Sequence, residues 1–198
     1  SDQYDFIVLT VPVGAYYKGN IKPVDAIILD EYDRAAPQGT GHIKLAGNYA
    51  AGLHANIVAK KKGFPIVLYL DSKSKQYVDE FGTSNFIAIT KDGKYVTPDS
   101  KSILPSITNK SLMQIARDLG ITVERRQVSF RELAGFAEIG ACGTAVVITP
   151  IGRIVYGRKI LEYDSEKCGP TLKKLYDRLT GIQYGEIPDT HGWLMGLK

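Results

Sequence analysis

The sequence predicts an α/β fold: a mixed sheet partly curled into a barrel, with helices flanking it. Three observations predict this. Short apolar strands recur at uneven spacing, about four helical segments lie among them, and one run, Ile66-Val-Leu-Tyr-Leu70, is apolar without alternation, as a strand covered on both faces is. With 198 residues, 44% of them hydrophobic and 23% charged, the chain can bury a sizeable core. The net charge of +4 is small and its carriers are scattered. The densest cluster, Lys60 to Lys62, closes a helix, where cations suit the macrodipole, and this argues against a nucleic-acid surface. Cys142 and Cys168 make neither a disulfide framework nor a metal-ligand spacing and suit a reducing compartment. No run of 18 apolar residues exists, so no membrane-spanning helix is expected.

Taken in order, residues 6–13 are expected to form a strand rich in Ile, Val and Leu, ended by Pro12. Ala26 to Asp30 is a second buried strand. A glycine-rich loop then carries Lys44 into an Ala-rich helix from about Tyr49 to Lys62, stopped by Gly63 and Pro65. Strands follow at 66–71, 76–79, 85–90 and 94–97, the last two joined by the turn Lys91-Asp-Gly93. A helix over 110–119 takes Thr108 or Asn109 as N-cap and Gly120 as its stop. Residues 121–128 alternate like a strand, and Ser129-Phe-Arg-Glu132 is a capping box opening a helix to about Ala137. Strands are expected at 145–150 and 153–156, and Gly169-Pro170 opens the last long helix, to about Leu179.

Four polar stretches with glycine or a helix start stand out. Lys44 lies among Gly39, Gly41 and Gly47, with Tyr49 five residues on, where glycines let another molecule approach the backbone. Glu80-Phe-Gly-Thr-Ser-Asn85 puts an acid at a strand end; it is also compatible with a plain surface carboxylate. Leu104-Pro-Ser-Ile-Thr108 precedes a helix, so Thr108 is either a cap or part of an anion site formed by free N–H groups. Gly140-Ala-Cys-Gly-Thr-Ala145 is either a tight turn or an anion-binding one. Together, a lysine, a carboxylate, a phenol and two anion sites suit one cofactor, pyridoxal 5'-phosphate. Its aldehyde condenses with a lysine, its ring nitrogen wants an acid and its phosphate wants N–H groups and hydroxyls.

These motifs resemble the larger, C-terminal domain of the class IV (fold type IV) aminotransferases, and among them the branched-chain amino acid aminotransferases. The resemblance runs from Val11 to about Lys198 and rests on Thr40-Gly-His-Ile-Lys-Leu-Ala-Gly-Asn-Tyr49, the Glu80, Leu104 and Gly143 segments, Cys168-Gly-Pro170 and Ile182-Gln-Tyr-Gly185. It implies that Lys44 is the Schiff-base lysine and the base that moves the substrate proton. It implies that Tyr49 lies beside the ring hydroxyl and that Glu80 pairs with the ring nitrogen. Ile107, Thr108 and Thr144 would hold the phosphate, Thr144 and Ala145 the substrate carboxylate, and Tyr16 would line the substrate pocket. The chain departs from the family's usual residues at Asn109, Ile87 and Val13, and it lacks the Cys-x-x-Cys pair of mammalian members.

The resemblance further implies transfer of the amino group of Leu, Ile or Val to 2-oxoglutarate. The partners would be small-molecule amino acids and 2-oxo acids, with no nucleic acid and no membrane, in a cytoplasmic homodimer. Residues 1–20 would be the end strand of a small domain and a linker, and residues 21–198 the large domain. The rest of the small domain, which carries an arginine for the phosphate, would precede Ser1, making this chain a fragment. Two further readings stay open: an aminodeoxychorismate lyase or D-amino acid transaminase of the same fold, and a non-catalytic binding domain.

Overall fold

The structure, a computed structural model, describes residues 2–11 and 21–196. Its strands are β1 (Val24–Ile28), β2 (Ile66–Leu70), β3 (Val78–Phe81), β4 (Asn85–Thr90), β5 (Tyr95–Pro98), β6 (Val123–Arg126), β7 (Phe136–Gly143), β8 (Val147–Tyr156) and β9 (Lys159–Glu162). The helices are α1 (Ala46–Lys61), α2 (Ile107–Asp118) and α3 (Pro170–Gln183).

The strands follow one another as β3-β2-β1-β8-β7-β4, and β4 pairs back onto β3, so these six close into a barrel. β5 and β6 extend from β4, and β9 pairs with β8. β1 runs parallel to both β2 and β8, and β5 runs parallel to β6, while the other ladders are antiparallel, so the sheet is mixed as expected. The barrel is filled by Ala26, Ile28, Leu68, Val78, Phe81, Phe86, Ala88, Val96, Ile139 and Ile154 among others. α2 and α3 cover Ile87, Ile89, Cys142 and Ile148 on the outside. α1 covers Ile27, Leu29, Val67 and Tyr69 through its small residues Ala55 and Ala59. The close approach is tightest at Gly52, where a Cβ would stand 3.2 Å from the Tyr69 hydroxyl.

Several elements differ from expectation. Residues 6–11 form no strand: Phe6 (93% exposed), Ile7, Val8 and Leu9 face solvent, because a strand needs a partner ladder and none of the described residues provides one. Pro12 and Val13 lie outside the described residues. α1 begins at Ala46, three residues early, with Leu45 at its cap and no side-chain cap. The cap of α2 is Ser106, whose hydroxyl accepts from the Asn109 N–H at 3.2 Å; Thr108 and Asn109 are already helical. Gly120 does end that helix, at φ +73°. Ser129 and Glu132 form the capping box, but it opens only a 3-10 helix over Phe130–Gly135.

The strands expected at 145–150 and 153–156 are one strand, β8. It pairs with β7 at one end and β9 at the other, and Gly152 sits at the changeover, where a Cβ would meet the Ser165 Cα at 2.9 Å. β7 and β9 were not expected as strands. In β7, residues 140–142 continue the ladder with β4, so the turn is confined to residues 144–146. The strand expected over 121–128 shortens to β6, and α3 runs on to Gln183 because Gly181 lies inside the helix under Ile187. Among the described residues no helix is long and apolar enough to cross a membrane.

Candidate active site

One mouth of the barrel opens into a cavity of about 610 Å³, and all six barrel strands reach it. Val24 comes from β1, Ile66 from β2, Glu80 from β3, Asn85 from β4, Cys142 from β7 and Thr149 from β8. Three further segments complete the rim: the loop carrying Lys44 with the start of α1, the loop into α2, and the turn between β7 and β8.

The Lys44 loop is held by one side chain from the helix it precedes. Asn48 Nδ2 donates to the Thr40 carbonyl at 2.8 Å and the Ile43 carbonyl at 2.9 Å, and the Thr40 hydroxyl donates back to Asn48 Oδ1. This fastens the loop to the first turn of α1 and leaves Lys44 exposed, its amine without a hydrogen bond or ion pair among the described residues. Tyr49, one helical turn into α1, stands on the same wall.

Glu80 is the buried charge of the site, 3% exposed. Its Oε1 accepts from the Leu104 N–H at 3.1 Å and pairs with Arg34 Nη2 at 2.9 Å. Its Oε2 accepts from Asn85 Nδ2 at 2.8 Å. Burial pushes the carboxyl up to about 7, against the lowering pull of the Arg34 guanidinium, the Leu104 N–H and the Lys44 charge. Arg34, in the loop after β1, is itself buried; it also donates to the Gly41 carbonyl at 2.9 Å and to the Ser102 carbonyl, while its Nε has no partner among the described residues. Gly41 is required at that crossing, since a Cβ there would collide with the Ser102 carbonyl oxygen.

α2 begins next to this cluster, and Ser106 and Ile107 at its start line the cavity. The first-turn N–H groups of a helix have no carbonyl one turn earlier to bond, and Ser106 takes up only that of Asn109. Ile107 lies on the rim, 73% exposed. The β7–β8 turn exposes Thr144 and Ala145 to the same space. It ends at Val147, a β-branched residue in the left-handed region at φ +58°, a strained conformation of the kind that clusters at functional turns.

The structure thus brings together Lys44, Tyr49, Glu80, Ile107, Thr144 and Ala145 on one cavity. Thr108 follows Ile107 in the first turn of α2 but is buried and lies off the cavity wall. Tyr16 lies outside the described residues. Sequence reasoning missed Arg34 and the positioning roles of Asn48 and Asn85. Arg34 had no signal of its own, as its partner Glu80 is far along the chain. Asn48 and Asn85 stood inside the motifs that were noticed.

An exposed amine, a buried acid and the start of a helix, gathered at a barrel mouth, are groups that an anionic, amine-reactive cofactor calls for. The profile of the family described as amino-transferase class IV matches residues 2–154, and the chain belongs to that family. It is 47% identical to the branched-chain-amino-acid aminotransferase of Haemophilus influenzae over 99% of its own length and 59% of the relative's. It is 43% identical to the chloroplastic branched-chain-amino-acid aminotransferase 3 of Arabidopsis thaliana, over 99% and 48%. Among solved structures, the Escherichia coli branched-chain amino acid aminotransferase superposes with a TM-score of 0.76 at 29% identity, over 87% of this chain and 56% of that one. The branched-chain amino acid aminotransferase of Thermobaculum terrenum, solved in its PLP-form, gives 0.73 at 30% identity, over 83% and 52%. The chain therefore spans about half to three fifths of the length of these relatives.

The donor set fits pyridoxal phosphate. A lysine amine without a hydrogen bond or ion pair among the described residues, a carboxylate whose Oε2 keeps a lone pair beyond Asn85, and a helix start 73% exposed at Ile107 match an aldehyde, a ring nitrogen and a phosphate.

Proposed function

We propose that this chain is the lysine-bearing part of a pyridoxal-phosphate aminotransferase that moves the amino group of Leu, Ile or Val to 2-oxoglutarate. The observation that carries the proposal is the convergence of Lys44, Glu80, the start of α2 and the Thr144 turn on one cavity. When bound, the cofactor supplies an aldehyde that exchanges between amines and a ring that draws electrons from the substrate Cα.

The residues of the chain do the rest. The Lys44 amine would be the group that holds the cofactor aldehyde, and as a free amine it would take the proton from the substrate Cα. Glu80, whose donors oppose the protonation that burial favours, would accept a hydrogen bond from a protonated ring nitrogen as the carboxylate. Ile107 and Thr108 offer N–H groups, and Thr144 a hydroxyl, to the phosphate. The Thr144–Ala145 turn receives the substrate carboxylate, and Tyr49 borders the ring hydroxyl. The apolar Val24, Ile66 and Val146 in the lining suit an aliphatic side chain. In this reading residues 21–198 are the large domain, and Tyr16 lines the pocket on the side of a smaller N-terminal domain. The full-length protein is a cytoplasmic homodimer.

The test is an amino-donor panel on full-length protein with 2-oxoglutarate as acceptor. Turnover of L-Leu, L-Ile and L-Val is expected; consumption of D-Ala with no reaction of L-Leu overturns the substrate assignment. Lys44→Ala is expected to retain cofactor without the absorbance of a covalently linked one. Survival of that absorbance would mean that another lysine is used.

A further inference from the structure

We infer that Arg34 is the positioning residue of Glu80: its guanidinium, anchored on the Lys44 loop and on the loop into α2, holds the carboxylate in place, and it acts on the cofactor site through that carboxylate. The inference rests on the aminotransferase reading above and deepens it.

Three segments that chemistry must hold in register meet on one buried side chain. Nη2 of Arg34 reaches Glu80 Oε1 on β3 at 2.9 Å, the Gly41 carbonyl three residues before Lys44 at 2.9 Å, and the Ser102 carbonyl four residues before Ser106, the cap of α2. None of these three segments is hydrogen-bonded into a regular ladder with the other two, apart from Leu104 donating to Glu80. Gly41 is shaped for the crossing, as a Cβ there would meet Ser102 and Arg34 together. All three contacts gather on one guanidinium nitrogen, Nη2, whose place is set by a rigid planar group; the ammonium of a lysine, on a shorter and more mobile stem, would not be held at that point.

The same contact governs the charge of Glu80. The charged or titratable groups facing Glu80 are Arg34 from the loop after β1, Lys44 from the loop before α1, Asp79 beside it on β3 and Cys142 from β7; Asn85 and the Leu104 N–H are its neutral donors. Arg34 is the largest of the influences that favour the carboxylate, against burial that favours the acid.

The experiment is a double-mutant cycle on full-length protein, with Arg34→Lys, Glu80→Gln and the pair, each read by pyridoxal phosphate affinity, by the pH dependence of the bound-cofactor absorbance and by cofactor-free thermal unfolding. Arg34→Lys is expected to weaken cofactor binding about tenfold or more and to move the pH midpoint of the absorbance upward. In the Glu80→Gln background the same change is expected to alter affinity less than about twofold, since Arg34 acts through Glu80. Equal losses in both backgrounds, or an unchanged midpoint, overturn the inference. Should Arg34→Lys fail to fold, Arg34→Gln/Glu80→Gln, which buries no unpaired charge, is compared with Glu80→Gln; a further loss of affinity of about tenfold there overturns it too. Failure of the unaltered protein to bind the cofactor at all sinks the aminotransferase reading and is a separate outcome.

Discussion

Asn85 and Glu80 face each other at the point where β3 pairs with β4, and the Asn85 amide donates to Glu80 Oε2 at 2.8 Å while also donating to the Leu104 carbonyl at 2.9 Å. The acid of the site is therefore set by the residue opposite it in the sheet. Asn85→Ala leaves a buried carboxylate oxygen without its donor and is expected to cost about 1–3 kcal/mol of stability, measured by urea unfolding. Asn85→Asp sets a second carboxylate against the first and should cost more above about pH 7 than at about pH 5.

Glu80 gives the cofactor-free protein a defined pH dependence. Its carboxyl is raised from the ordinary value of 4.5 to about 7, so the folded state binds a proton that the unfolded state has released. From this group, stability is fully present below pH 4.5 and is lost as pH rises through 7, by a total of about 3 kcal/mol. Unfolding free energies of the native sequence and Glu80→Gln, compared from about pH 4.5 to about pH 8, should diverge in that window, with the native sequence losing ground as pH rises.

Gly41→Ala tests the crossing under Arg34. The added Cβ would collide with a backbone carbonyl that cannot rotate away, so the Lys44 loop must shift. A loss of about 1–3 kcal/mol is expected, together with weakened cofactor binding. Gly47→Ala, inside α1, where a Cβ would meet only Leu45 Cδ2 at 3.8 Å, is the control and should lose no stability, gaining up to about 1 kcal/mol from the helix.

Val147 reverses an ordinary ranking. In most positions Gly is less stable than Ala by roughly 0.5–1 kcal/mol. At φ +58° the Cβ itself is the burden, costing about 1–2 kcal/mol. Val147→Gly should thus be at least as stable as Val147→Ala by thermal unfolding, although both lose packing against the core around Ile148 and Leu172. Val147→Gly should also loosen the Thr144–Ala145 turn and weaken phosphate binding.

The parts of the site legible in the sequence were those written in glycines and short polar motifs. Lys44 fell on a loop, Tyr49 in the first turns of the helix after it and Glu80 near a strand end, each marked by glycine or local polarity. Arg34 was not legible, because an arginine in Asp33-Arg34-Ala35 looks like any solvated loop residue until the barrel folds it beneath Glu80. β7 was missed because Gly140, Ala141 and Gly143 carry little strand preference; they are there because Gly140 lies under Ile87, Ile148 and Leu172, where a Cβ would be 3.2–3.3 Å from each. The cap of α2 was displaced by two residues because Ser106, Thr108 and Asn109 are all competent caps, and only the backbone at Ser106, φ −71° and ψ 132°, decides among them. The apolar stretch 6–11 shows the converse error: composition alone names a strand, but a strand exists only beside another.

The pairing of Glu80 with Asn85 is the sole register contact between β3 and β4, so it is also the seam that closes the barrel. β2, β3 and β1 on one side, and β4, β7 and β8 on the other, can each form their ladders without it. A chain whose ladders have formed but whose seam is open would have most of its secondary structure and no acid in place. Cofactor capture would then proofread folding: a ligand that binds only the closed barrel draws the population toward it in proportion to its own concentration, and chains starved of the ligand would be the ones left ajar to proteases.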